Sequence, residues 1–185
     1  MAGSVMKRAL AALNKLTDGI AIAANAVGTL VVLALVVVVN YDMGARNLIN
    51  APFNGAVEVV QFSMVLIVFL QLPDVVRVNR LTRSDGFLVV VGARHPALAR
   101  WLRRVINLIS AVFMTLVATA IFPEFLKMWE SNDFFGVPGV FTAPWWPVKL
   151  TIFASAVLAA AIFALKVLGA SPDEATHTPA QEDGV

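Results

Sequence analysis

Of 185 residues, 59% are hydrophobic and only 14% charged, well short of the roughly 25% charged residues of an ordinary soluble domain. That composition excludes a water-soluble globule and reads as an all-α integral membrane protein. The net charge is only +2 and most of the arginine sits in one segment, so nucleic acid is a poor partner and a membrane surface a better one; the lack of cysteine closes disulfide, thiolate-metal and thiol redox chemistry.

In chain order, Lys7, Arg8 and Lys15 stand among Leu10, Leu13 and Leu16, whose three-residue spacing predicts a short amphipathic surface helix over 1–17. The apolar run from Ile20 to Val39 is 20 residues long, which as a helix covers roughly the 30 Å of a bilayer's hydrocarbon core. It exceeds the roughly 7 to 15 residues of a signal-peptide core and closes on no small-x-small cleavage site, so a retained first span is expected. Ala21, Ala24 and Gly28 fall at helical spacing and suit close approach of a second helix, and Asn25 is the one strongly polar side chain well inside the run.

The connection from Asn40 to Ala56 holds the turn formers Asn50, Pro52, Asn54 and Gly55 and is short, which makes the first two helices antiparallel neighbours. Arg46 is its only basic residue; it either anchors to headgroups or pairs with Glu58 or a partner chain. The second span, 57–76, opens at Glu58, which shares a face with Gln61. At a helix start the dipole favours a carboxylate, so Glu58 reads as a structural or interface residue ahead of a proton carrier. Pro73 and Asp74 predict that the helix kinks or emerges there.

Seven arginines follow before the next apolar run: Arg77, Arg80, Arg83, Arg94, Arg100, Arg103 and Arg104. Between them Ser84 and Asp85 are good capping residues for Phe87 to Val91, a run too short to span. After Pro96, Arg100, Arg103 and Arg104 cluster around Trp101 in a predicted interfacial helix that feeds the third span, 105–122, where Ala111, Thr115 and Thr119 form a candidate packing row. The stretch from Pro123 to Pro147 is expected as an apolar loop whose Phe134, Phe135, Phe141, Trp145 and Trp146 dip into the interface or are covered by another protein. The fourth span, 148–168, has Lys149 at its mouth and a small-residue stripe of Ala156, Ala160 and Ala164. Residues 169–185 carry four acids and two prolines without a core-forming run and are expected to be a disordered cytoplasmic tail.

With both termini and the arginine segment in the cytoplasm, and Lys149 and Lys166 left uncounted as span residues, ten basic residues lie inside against Arg46 and Lys127 outside, the bias that sets orientation. The expected architecture is therefore a four-helix membrane domain over 18–168 with short interfacial amphipathic helices. His95 and His177 are the only histidines and neither suits an intrabilayer haem; no Walker or dinucleotide loop occurs, so no bound cofactor, metal or catalysis is expected.

The stretch from Arg46 to Glu58, RNLINAPFNGAVE, resembles the small DctQ-like membrane subunit of tripartite ATP-independent periplasmic (TRAP) transporters, with Arg46, Asn50, Pro52 and Glu58 in matching places. NRLTRSD, ending at Asp85, and the aromatic, proline-rich approach to the last helix at Pro144 to Pro147 are similar too. The likeness covers roughly Thr17 to Leu168, although Gly55 and Ala56 stand where a tryptophan is usual and the Leu81 region where a histidine is usual. It implies a non-catalytic small subunit of a bacterial inner membrane that binds a large permease carrying the sodium and substrate sites. A periplasmic solute-binding protein would deliver an organic-acid-type solute. Candidate contacts with those partners or with lipid are Arg46, Glu58, Asp85, Arg100, Trp101, Arg103, Arg104, Phe134, Phe135, Trp145 and Trp146. Without the resemblance, a membrane anchor for a peripheral or redox enzyme fits the same four spans, and a self-contained homo-oligomeric exporter is disfavoured by the scarcity of intramembrane charge.

Overall fold

Hydrocarbon offers no partner for a backbone N–H or C=O, so an apolar run that crosses it must close its own hydrogen bonds as a helix. The structure, a computed structural model, describes residues 2–48, 50, 53–79, 95–131, 133–137 and 141–168. Its helices are α1 (Ala2–Leu48), α2 (Ala56–Arg77), α3 (Pro96–Ser131) and α4 (Trp146–Val167). All four contain stretches long and apolar enough to cross a membrane, and the chain is a multi-pass membrane protein. Asp85, the Phe87 to Val91 run and the tail fall outside the described residues.

Two helices are longer than their apolar runs. The N-terminal segment, expected as a separate surface helix, continues without a break into the first span, giving a 47-residue α1 that rises roughly 70 Å. Within that stretch the Thr17 hydroxyl donates to the Leu13 and Asn14 carbonyls, at 3.0 and 2.9 Å, and the turn where a break was expected stays helical. The arginine-bearing segment after Pro96 likewise merges with the third span, and that helix runs past Phe122 and through Pro123 to Ser131. Beyond it the expected loop holds a two-stranded antiparallel hairpin, β1 (Phe134–Val137) and β2 (Phe141–Pro144), with Phe135 opposite Ala143 and Gly136 opposite Thr142. A hydrogen bond of 3.0 Å from the Trp145 amide to the Asp133 carbonyl closes its base.

The helices stand in a row in the order α1, α2, α4, α3: α4 packs along α3 and α2, and α1 packs along α2 with a lighter contact to α4. The core lies where α4 meets its neighbours, with Ala21, Val76, Ala159, Ile162 and Phe163 buried and Leu72, Ala111, Met114 and Leu158 packed around them. Small residues permit this approach. Ser155, Ala156 and Ala159 are the buried small positions of α4, whereas Ala164, the end of the expected stripe, is exposed. On α1, Ala21 is buried and Gly28 lies so close to α2 that an added Cβ would stand 2.9 Å from Gln71 Cγ.

Of the expected packing row of the third span, Ala111 packs against the core but Thr115 and Thr119 do not. Thr115 and Thr119 are exposed and return their hydroxyls to their own helix, at the Ala111 and Leu116 carbonyls, 2.8 and 2.9 Å away. Back-bonding satisfies a threonine in an apolar setting without a neighbour, which is why spacing alone misleads there. Pro73 is buried inside α2, which runs through it to Arg77 before ending.

Candidate functional site

Charged groups on apolar helices need partners, and here the ion pairs lie toward the two ends of the row. At the end bearing the α2 and α4 C-termini, Asp74 is the hub. Its Oδ2 accepts Asn25 Nδ2 from α1 at 2.9 Å, and its Oδ1 accepts Arg77 Nε at 2.8 Å. Beside it Lys166 Nζ, from the last turn of α4, donates to the Val76 carbonyl at 2.6 Å, the Arg77 carbonyl at 3.1 Å and Asn79 Oδ1 at 2.6 Å. The final carbonyls of a helix lack intrahelical donors and carry its negative dipole end, so an ammonium there is a C-terminal cap supplied by a second helix. Asn79, at φ 54°, occupies the left-handed region in which asparagine often ends a helix. Three helices are thereby tied at one level.

Arg100, Trp101, Arg103 and Arg104 lie at this same end, exposed on the first turns of α3, where Ala97, Arg100, Trp101 and Arg104 line a shallow surface groove. This arrangement presents cations and an indole edge together, the combination that suits headgroup phosphates.

The opposite end holds the remaining candidates among the described residues. Arg46 pairs along its own helix with Asp42, Nη2 to Oδ2 3.0 Å, an acid-then-base spacing of four that a helix favours. Asp42 Oδ1 also accepts the Phe53 amide at 2.8 Å, tying the end of α1 to the approach of α2. The alternative pairing of Arg46 with Glu58 is therefore not formed: Glu58, half-buried in the first turn of α2, has no ion pair among the described residues. Gly55 at φ 104° makes the turn into α2, a backbone that a β-carbon would strain.

Aromatic rings fasten α3, α4 and the hairpin. Trp129 of α3 meets Trp146 of α4 edge to face with centroids 4.9 Å apart, Phe135 of β1 meets Trp145 the same way at 4.9 Å, and Phe122 tilts against Phe153 at 5.4 Å. Lys149 donates to Glu124 across the same pair of helices. Phe135 and Trp145 also close an apolar pocket against Gln61, Phe62, Val65 and Val148, while Phe134 points outward, 62% exposed.

The structure thus brings Phe135 and Trp145 to the Gln61 face of α2, and it places the arginines of α3 at the far end from them. Sequence reasoning missed the Asp74 and Lys166 cluster. Its signals were present, since Asn25 stood out in the first span and Asp74 beside Pro73, and an antiparallel hairpin brings those depths together.

The family model described as "Tripartite ATP-independent periplasmic transporters, DctQ component" matches residues 35–172. No curated protein and no solved structure gives a match.

Proposed function

The chain belongs to the DctQ component family of tripartite ATP-independent periplasmic transporters, and from that premise we propose that it is the non-catalytic small permease subunit of such a system in a bacterial inner membrane. In this reading it binds the large permease subunit and extends its static scaffold. The sodium and substrate sites belong to that partner, and a periplasmic binding protein delivers an organic-acid-type solute.

The observation that carries the reading is the shape of the row. In the most apolar stretch of α4, 39% of residues are buried, against 6% in α1 and 6% in α3. A helix row this open, with two wide apolar edges, suits a plate laid against a larger membrane body, the remaining edge facing lipid. The polar tie at one end and the aromatic tie at the other hold the plate as one piece, as a scaffold requires while a neighbouring domain moves. Arg100, Trp101, Arg103 and Arg104 on one side and the hairpin aromatics on the other would brace it at the two headgroup levels.

The test is a mild-detergent pull-down of the tagged chain from its native membrane with partners identified by mass. A large many-helix permease at near-equal stoichiometry is the expected result. Recovery of a soluble redox or hydrolytic enzyme in its place would make the chain an anchor and end the scaffold reading.

A further inference from the structure

Asn25 bonds Asp74, three residues before the last residue of α2, and Gly28 abuts Leu70 and Gln71, so α1 follows α2 and passes the C-terminal end of α2 near residue 22. From there α1 continues to Ala2. At about 1.5 Å per residue, Leu16 stands roughly 9 Å, Leu13 roughly 13 Å and Val5 roughly 25 Å beyond that level.

Along this overhang Val5, Ala9, Leu13, Leu16 and Ile20 recur at spacings of three and four on one face. Val5 is 67% exposed, Leu13 50%, Leu16 62% and Ile20 48%. A different face, bearing Asn14, Thr17 and Ala21, is the one buried within the chain. The exposed row continues directly into the span, through Ala23, Val27 and Leu30, which are exposed as well.

The hydrocarbon core cannot cover all of it. From Val5 to Val39 α1 rises roughly 51 Å, and fitting that into roughly 30 Å of hydrocarbon needs a tilt above about 50°, beyond the roughly 0–40° of membrane helices. Nor is there a break that would let the overhang fold flat, because α1 is helical throughout. Arg8 and Lys15 run along one edge of the row, both exposed.

We infer that this row is a protein docking face outside the bilayer, and that its occupant is a helix of the large permease subunit, apolar along one side with acidic residues facing Arg8 and Lys15. A partner helix that covers the exposed face of the span and continues past the bilayer meets the row without interruption. Opposite charge along one edge sets register and orientation, while the apolar row supplies the contact. The inference rests on the reading that the chain binds a permease subunit.

The chain has no cysteine, so single cysteines report cleanly. In permeabilised native membranes, Leu13→Cys and Leu16→Cys should react with a water-soluble maleimide at least tenfold more slowly when the large permease is co-expressed than when it is absent. Ala11→Cys, exposed on the far side of the helix, should react quickly in both. Leu13→Glu with Leu16→Glu, and separately Arg8→Glu with Lys15→Glu, should cut permease recovery in the pull-down at least fivefold.

Slow reaction of both cysteines with and without the permease would mean lipid cover, and fast reaction in both would mean a free face; either overturns the inference. Protection that depends only on the amount of this chain would assign the row to a second copy and overturn it too. If the wild type recovers no permease, the functional reading and this inference fall together. If it recovers permease while both charge variants recover as much, this inference alone falls.

Discussion

The two ends of the helix row are held by different physics. At the end of the α2 and α4 C-termini, a carboxylate, a guanidinium, an ammonium and two asparagines share hydrogen bonds among three helices. At the hairpin end, rings do most of the fastening, with the ion pairs Arg46–Asp42 and Lys149–Glu124 on the outside. Hydrogen bonds are directional and fail when one partner leaves, because the others stay behind unsatisfied. Ring contacts are shallower and more forgiving. The first end fixes helix register; the second end fixes how the hairpin sits on it.

Removing the hub tests the contrast most severely. Asp74→Ala strands Asn25 and Arg77 and should cost roughly 1–3 kcal/mol in detergent unfolding, with Asp74→Asn recovering part of the loss. A loss smaller than the coupling between Trp129 and Trp146 would reverse the ranking of the two ends. At the hairpin end, a cycle of Trp129→Ala and Trp146→Ala should give a coupling of about 0.5–1.5 kcal/mol. Zero coupling would show that the ring geometry contributes only burial. The smallest effect belongs to Arg46→Ala, at most about 0.5 kcal/mol, since the pair with Asp42 is exposed and within one helix. Combined with Glu58→Ala, it should be additive within about 0.3–0.5 kcal/mol; a larger coupling would restore the Arg46–Glu58 bridge that the geometry does not form.

Much of the architecture was legible in the amino-acid order because length and hydropathy are what a bilayer tests. The runs 20–39, 57–76, 105–122 and 148–168 all lie within helices, apart from Leu168 at the last cap. Helix ends were less legible, since neither the continuation of α1 through Thr17 nor the passage of α3 through Pro123 is marked by a change in hydropathy. Side-chain partners were least legible. Arg46 pairs with Asp42, one turn back on its own helix, although the amino-acid order offered Glu58 as well. Thr115 and Thr119 have the spacing of a packing face, but both are exposed.

The place of α4 in the row has a consequence for biosynthesis. α4 is the last of the four helices to leave the ribosome, yet it is the one on which both α2 and α3 pack. The α1–α2 hairpin can settle early, joined by Asn25 and Asp74, but α3 must wait in the membrane with its inward face uncovered until Trp146 to Val167 has been inserted. Completion of the row is therefore a late event, and a chain halted before Trp146 leaves quality-control proteases an open seam between α2 and α3 to recognise.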